Sequence, residues 1–131
     1  MPQIPDTHQT VMPYLILENA SRFRKFLQNV FNAKETFVKM RDEHAIMHAE
    51  VMIGNSTIMF ADSSDSWQSQ TAGLFIYVND ADEYYHRALA EGSSSIMPPS
   101  TQAYGRSCGI TDPFGNVWWI TSIIRQKAAT T

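Results

Sequence analysis

His48 and Glu50 are the pair in this chain whose types and spacing best suit proton chemistry. They stand at i and i+2 in an alternating run (IMHAEVMI), so on a strand both side chains leave the same face with Cα atoms about 6.5–7 Å apart. A carboxylate held among aromatic neighbours is pushed toward a higher pKa and can act as general base, with an imidazole as its proton partner. The same pair also serves to fix strand register through cross-strand hydrogen bonds, the more ordinary role of such a pair, and spacing alone leaves both roles open. Asp62 ends the next apolar run with a parity that lets it join them. His8 in the N-terminal arm, His44 in a turn and His86 on a helix read as surface residues. The lone Cys108 has helix-facing parity and reads as a small buried apolar residue, not a nucleophile. Tyr104 and Arg106 are within reach of a ligand at a sheet edge, although the parity of Arg106 is equivocal. No nucleophile elbow, phosphate-cradling glycine loop or Cys/His zinc spacing occurs.

The elements that must position these groups follow from periodicity. Residues 11–17 (VMPYLIL) are a near-continuous apolar run broken by Pro13, which suits an edge or a bulge. Short polar side chains at 18–21 open a helix whose stripe is Ala20, Phe23, Leu27, Val30 and Phe31. Strands are expected at Lys34–Met40, at Ile46–Ile53 and, after the Gly54-Asn55 turn, at Ser56–Asp62. In the middle strand Met47, Ala49, Val51 and Ile53 oppose Ile46, His48, Glu50 and Met52. The second half repeats the order, with a strand at 74–78, a helix started by Asn79-Asp80 with Ala81, Tyr84, Ala88 and Leu89 as its stripe, and a weak strand at 93–97 ended by Pro98-Pro99. Strands at 104–111 and Val117–Ser122 then flank the turn Asp112-Pro113-Phe114-Gly115-Asn116.

One sequence offset unites the halves. Gly54-Asn55 and Gly115-Asn116 are 61 positions apart, and the same shift pairs Ala20 with Ala81, Phe23 with Tyr84, Leu27 with Ala88 and Leu17 with Val78. The expected organisation is one domain over 1–131. It holds a βαβββ unit at 11–62, a linker at 63–71 that is polar apart from Trp67, a second βαβββ unit at 72–122 and a polar tail at 123–131.

Composition narrows the function classes. The 131 residues carry 10 Lys+Arg against 13 Asp+Glu, a net charge of −3, which provides no electrostatic footprint for nucleic acid. No apolar run approaches the roughly 20 residues needed to span a bilayer, so no membrane partner is expected. Residues 1–9 have neither a basic n-region nor an apolar h-region, and one cysteine cannot form an internal disulfide, so the expected compartment is the cytoplasm. The distinctive feature is 7 Met, 7 Phe, 5 Tyr and 3 Trp.

With its duplicated βαβββ pattern and the strings Pro13-Tyr14-Leu15, Phe31-Asn32-Ala33, His48-Ala49-Glu50 with Ile53-Gly54, and Asp112-Pro113-Phe114-Gly115-Asn116-Val117-Trp118, the chain resembles the vicinal oxygen chelate superfamily. This superfamily includes glyoxalase I, bleomycin-resistance proteins and extradiol dioxygenases. The strings are similar to its glyoxalase-like branch once mislabelled as demethylubiquinone methyltransferase. The resemblance implies an α+β fold in which two tandem βαβββ units form a glyoxalase-like curved-sheet cup that holds a ligand, often shared within a homodimer. It also implies where metal-dependent relatives would place their ligands: Met12 and Gly73 on the first strand of each unit, Ile58 and Trp119 on the fourth. None of these suits a hard or borderline divalent ion, so neither metal nor cofactor is expected.

Parity relative to those positions selects the cup-facing side chains. Tyr14, Met52, Ile58, Phe60, Phe75, Tyr77 and Trp119, together with Trp67 of the linker, form the expected ligand-binding set, with His48 and Glu50 as the catalytic candidates. An aromatic, mostly apolar concavity suits a small hydrophobic or aromatic ligand, and an aromatic stripe suits a packed core as well. The expected function is metal-independent small-molecule binding of the bleomycin-resistance type. The alternative is a glyoxalase-like lyase or isomerase that uses His48 and Glu50 or a non-standard metal site.

Overall fold

A computed structural model of the chain describes residues 2–123, so the expected tail lies, beyond Ile123, outside the described residues. The chain forms two compact units, Met1–Thr71 and Ala72–Thr131. Each is a βαβββ repeat, and the class is α+β as the sequence predicts. Among the described residues no helix is long and apolar enough to cross a membrane.

Unit 1 runs β1 (Tyr14–Leu17), α1 (Ala20–Phe31), β2 (Lys34–Met40), β3 (Ile46–Ile53) and β4 (Ser56–Asp62). Its sheet order is β1-β4-β3-β2, with β1 parallel to β4 and the other pairs antiparallel. Pro13 stands just before β1; lacking an N–H, it contributes only its carbonyl, which accepts from Met59 N. One face of α1 is apolar at helical spacing and buries Ala20, Phe23, Phe26, Leu27, Val30 and Phe31. Asn19 adopts a left-handed conformation and gives no side-chain cap; the free amide of Ala20 is instead satisfied by Asp62 Oδ1 at 2.9 Å. Residues 63–71 are not a free linker. Gln70 exchanges two backbone hydrogen bonds with Ile16, and Ser63 N donates to the Leu17 carbonyl, so the segment folds back along β1.

Unit 2 runs β5 (Gly73–Tyr77), α2 (Ala81–Ala90), β6 (Ser94–Gln102), β7 (Gly105–Thr111) and β8 (Val117–Ser122), in the order β5-β8-β7-β6. Asp80 caps α2 as its position predicts, accepting from Glu83 N, while Ser122 Oγ accepts from Ala81 N. The buried stripe is Ala81, Tyr85 and Ala88; Tyr84 lies to one side, its ring under the Arg87 guanidinium. The strand expected to stop at Pro98-Pro99 continues through both. It is an edge strand, and its register shifts across 95–100 absorb the missing donors. Asp112 is 4% exposed and organises the loop before β8, accepting from Phe114 N, Asn116 N, Asn116 Nδ2 and Trp118 Nε1.

The repeat has a slip in it. Tyr14 pairs with Met59, and Phe75 pairs with Trp119. Tyr14 and Phe75 are 61 positions apart but Met59 and Trp119 are 60 apart, so the span from first to fourth strand is one residue shorter in unit 2 even though its last hairpin is the longer of the two. A slip of one residue sends every side chain of a strand to the other face. That corrects two expected site residues. Ile58 and Phe60 lie in the core, 6% and 0% exposed, and the Phe60 ring meets Phe23 edge-on with centroids 5.0 Å apart. A bulge between β2 and β3, where the partners step from Lys39–His48 to Met40–Ile46, likewise buries Ile46 and turns Met47 outward.

Candidate functional site

On the open face of the unit 1 sheet a hydrogen-bonded chain runs through four side chains. The His8 and His48 Nε2 atoms each lie 2.8 Å from Glu50, on Oε1 and Oε2 respectively. The Tyr14 hydroxyl lies 2.8 Å from His48 Nδ1, and the two rings stack with centroids 5.5 Å apart. The strands place these groups directly. Tyr14 on β1 pairs with Met59 on β4, Met59 with Glu50 on β3, and Glu50 with Phe37 on β2. His48 shares the face of Glu50, and Phe37 leans on its ring. The arm brings in His8. Gln9 pairs through its side-chain amide with both backbone groups of Thr57, and the Thr57 hydroxyl donates to the Thr7 carbonyl. His8 is therefore not a surface residue, because its side chain is 17% exposed and bound to Glu50.

Burial works against ionisation of Glu50, but hydrogen bonds and charge from the two histidines outweigh it, holding the pKa below the ordinary glutamate value. An ionised Glu50 accepts two N–H bonds, which makes Nε2 of His48 a donor and leaves Nδ1 of a neutral imidazole to accept the Tyr14 proton. Partial burial, then the charge of Glu50, pushes the Tyr14 phenol above its usual value. The arrangement is a carboxylate that orients an imidazole, which in turn holds a hydroxyl, and it can pass a proton along its length.

Asp62 is not part of it. Its two oxygens accept from Ala20 N and from Ile46 N, so it ties the start of α1 to the bulge in β3.

Beside the relay lies a cavity of about 780 Å³ in unit 1. Tyr14, Ile16, Met47, Ala61 and Trp67 form its apolar wall, and Arg41, Asp62, Ser64, Ser66 and Gln70 supply polar groups. Tyr14 belongs to both relay and wall. Of the expected ligand-binding set, Tyr14 and Trp67 line this cavity; Met52 is half-buried on β3 and lies outside the wall. Phe75, Tyr77 and Trp119 are exposed together on the open face of the unit 2 sheet, with the Phe75 and Tyr77 rings in edge contact. The Trp119 indole covers Gly109, where a Cβ would come within 2.5 Å of the ring. Arg106 forms a two-point ion pair with Asp82 on α2. Cys108 is fully buried and its thiol is pushed up to about 11, chiefly by burial, so it is no nucleophile. Arg41, Ser64, Ser66 and Gln70 come from loops, where strand parity gives no signal.

The slip also moves one expected metal-ligand position, from Ile58 to Met59. Met12, Met59, Gly73 and Trp119 offer no carboxylate or imidazole and do not fit a hard or borderline divalent ion. Among the described residues no group of three or more His, Cys, Asp or Glu side chains is placed to hold a metal.

Comparisons agree with the fold. TioX from Micromonospora sp. ML1 superposes with a TM-score of 0.72 at 19% identity, over 88% of this chain and all of that one. The PhnB protein from Bacillus cereus gives 0.68 at 17%, over 87% and 99%. A mutant fosfomycin resistance protein FosX from Listeria monocytogenes, complexed with Mn(II) and 1S,2S-dihydroxypropylphosphonic acid, gives 0.68 at 20%, over 86% and 90%. A search of curated proteins finds no match. Residues 8–120 match the family model of the Glyoxalase/Bleomycin resistance protein/Dioxygenase superfamily, and the chain belongs to that superfamily.

Proposed function

We propose that the chain is a metal-independent small-molecule-binding protein of the bleomycin-resistance type, which holds a hydrophobic or aromatic ligand in the unit 1 cavity. The observation that carries this reading is the cavity itself. Its volume of about 780 Å³ suits a ligand of drug size, and its wall combines aromatic and aliphatic side chains with a few polar groups. Cytoplasmic residence agrees with a free, buried Cys108. A homodimer agrees with the exposed aromatic face of Phe75, Tyr77 and Trp119, which is apolar enough to seek a cover.

Mass spectrometry of small molecules that co-purify with the native protein tests the reading, followed by titration of the identified compound against the wild type and Trp67→Ala. An apolar compound bound several-fold more weakly by the variant supports it. A protein that retains nothing, or a compound that binds both forms alike, overturns it.

The relay favours a second reading, a lyase or isomerase in which Glu50 and His48 move a proton through Tyr14. In that case Glu50→Gln removes turnover of the cavity-bound compound while its affinity stays within a few-fold of the wild type.

A further inference from the structure

Among the described residues Arg41 is the only cationic side chain on the cavity wall. We propose that it anchors the negative group of an organic anion whose apolar body lies against Ile16, Met47 and Trp67. This rests on the cavity being the ligand site, and it narrows the ligand from apolar molecules in general to apolar carboxylates and kindred oxyanions.

Three observations carry it. First, most of the guanidinium's donor capacity is open. Nη2 donates to the main-chain carbonyl of Asp62 at 2.9 Å, and among the described residues Arg41 makes no ion pair with a carboxylate. Second, the carboxylate on the wall, Asp62, and the one beside Arg41 in the chain, Asp42, each accept backbone N–H bonds. Both oxygens of Asp62 accept backbone N–H bonds, one of them from the first residue of α1. Asp42 folds back on the amides of His44 and Ala45, and Glu43 faces His44. Third, apart from Asp62 the rest of the polar wall consists of hydroxyls and an amide, from Ser64, Ser66 and Gln70, which hydrogen-bond an anion without opposing its charge. A guanidinium presents its donors as a planar fork that matches a carboxylate at two points, so a ligand with an apolar ring and one carboxylate satisfies both halves of the cavity.

Isothermal titration calorimetry with 2-naphthoate and its neutral, nearly isosteric partner 2-naphthamide tests this on the intact protein. The wild type should bind naphthoate about tenfold more tightly than naphthamide, the ratio that roughly 1.4 kcal/mol of charge-assisted hydrogen bonding gives. Arg41→Gln should bring naphthoate down to the amide's affinity. Because that change also removes the bond to the Asp62 carbonyl, Ser66→Asp provides an independent check: it places a negative charge on the wall with Arg41 intact and should cut the naphthoate preference at least several-fold. Equal binding of the two probes by the wild type, or a preference that survives both substitutions, overturns the anchor while leaving the cavity a ligand site. Failure of both probes to bind overturns the cavity reading and the anchor with it.

Discussion

The Tyr14 hydroxyl lies 2.8 Å from Nδ1 of His48, on the side of the ring opposite the Glu50 contact. Geometry of this kind fixes a tautomer. Because Glu50 accepts from Nε2, a neutral His48 must carry its proton there and receive Tyr14 at Nδ1. Nitrogen-15 NMR of labelled histidine at pH 8 should therefore show His48 with a protonated Nε2 and a bare Nδ1. Tyr14→Phe should move the Nδ1 resonance and leave the Nε2 resonance nearly in place. A spectrum with the proton on Nδ1 would contradict the relay.

Glu50 makes stability depend on acid in a definite direction. Its folded pKa lies below the unfolded value near 4.5, since bonds and charge from His8 and His48 outweigh the effect of burial. A depressed carboxylate contributes stability that is complete above the unfolded value and disappears as pH falls through the folded one. Urea unfolding at pH 7, 5, 4 and 3 should show the wild type losing more stability than Glu50→Gln over the steps below pH 5. At pH 7 the substitution should cost about 1–3 kcal/mol, the scale of a weakened buried, charge-assisted bond. Parallel acid profiles in the two proteins would remove Glu50 as the source.

Phe60 and Met59 are neighbours on β4 with opposite roles. Phe60 is fully buried against Phe23, while Met59 shares the face that carries Tyr14 and Glu50. Phe60→Ala should cost about 3–5 kcal/mol by cavity formation. Met59→Ala should cost less than half as much. Reversed magnitudes would restore the β4 faces expected from the 61-residue offset.

That strand marks how far the sequence could be read. The element order, the two units and the helix stripes follow from periodicity, which depends only on residues close in the chain. His48 and Glu50 were visible for the same reason, since two positions along one strand share a face. The face of β4 was not, because it depends on the register of β4 against β1, and carrying the 61-residue offset unchanged from the first strand to the fourth missed the one-residue shift. The bulge that exchanges Ile46 and Met47 is hidden in the same way, since register with a neighbouring strand is a tertiary property. His8 and Arg41 were illegible because an arm and a loop have no period; only the clamp of Gln9 on Thr57 and the fold-back at 63–71 bring their surroundings into place.

Gly109 and Trp119 test the unit 2 face, where the slip does not apply. The indole packs against the glycine, and an added Cβ would meet ring atoms at 2.5 and 2.8 Å. The ring is more than one-third exposed, so it has room to swing outward instead of forcing the backbone apart. Gly109→Ala should then cost about 1–2 kcal/mol, at the lower end of overpacking penalties, and change the near-ultraviolet dichroism as the indole leaves its seat. Trp119→Ala removes the obstacle, so the alanine at 109 should cost distinctly less in that background. A double-mutant cycle by urea unfolding reads the difference, which should exceed about 0.5 kcal/mol for residues in direct contact. Additive costs would mean that the indole does not sit on Gly109 in solution, and Trp119 would then be a freely exposed ring instead of a fixed part of the sheet face.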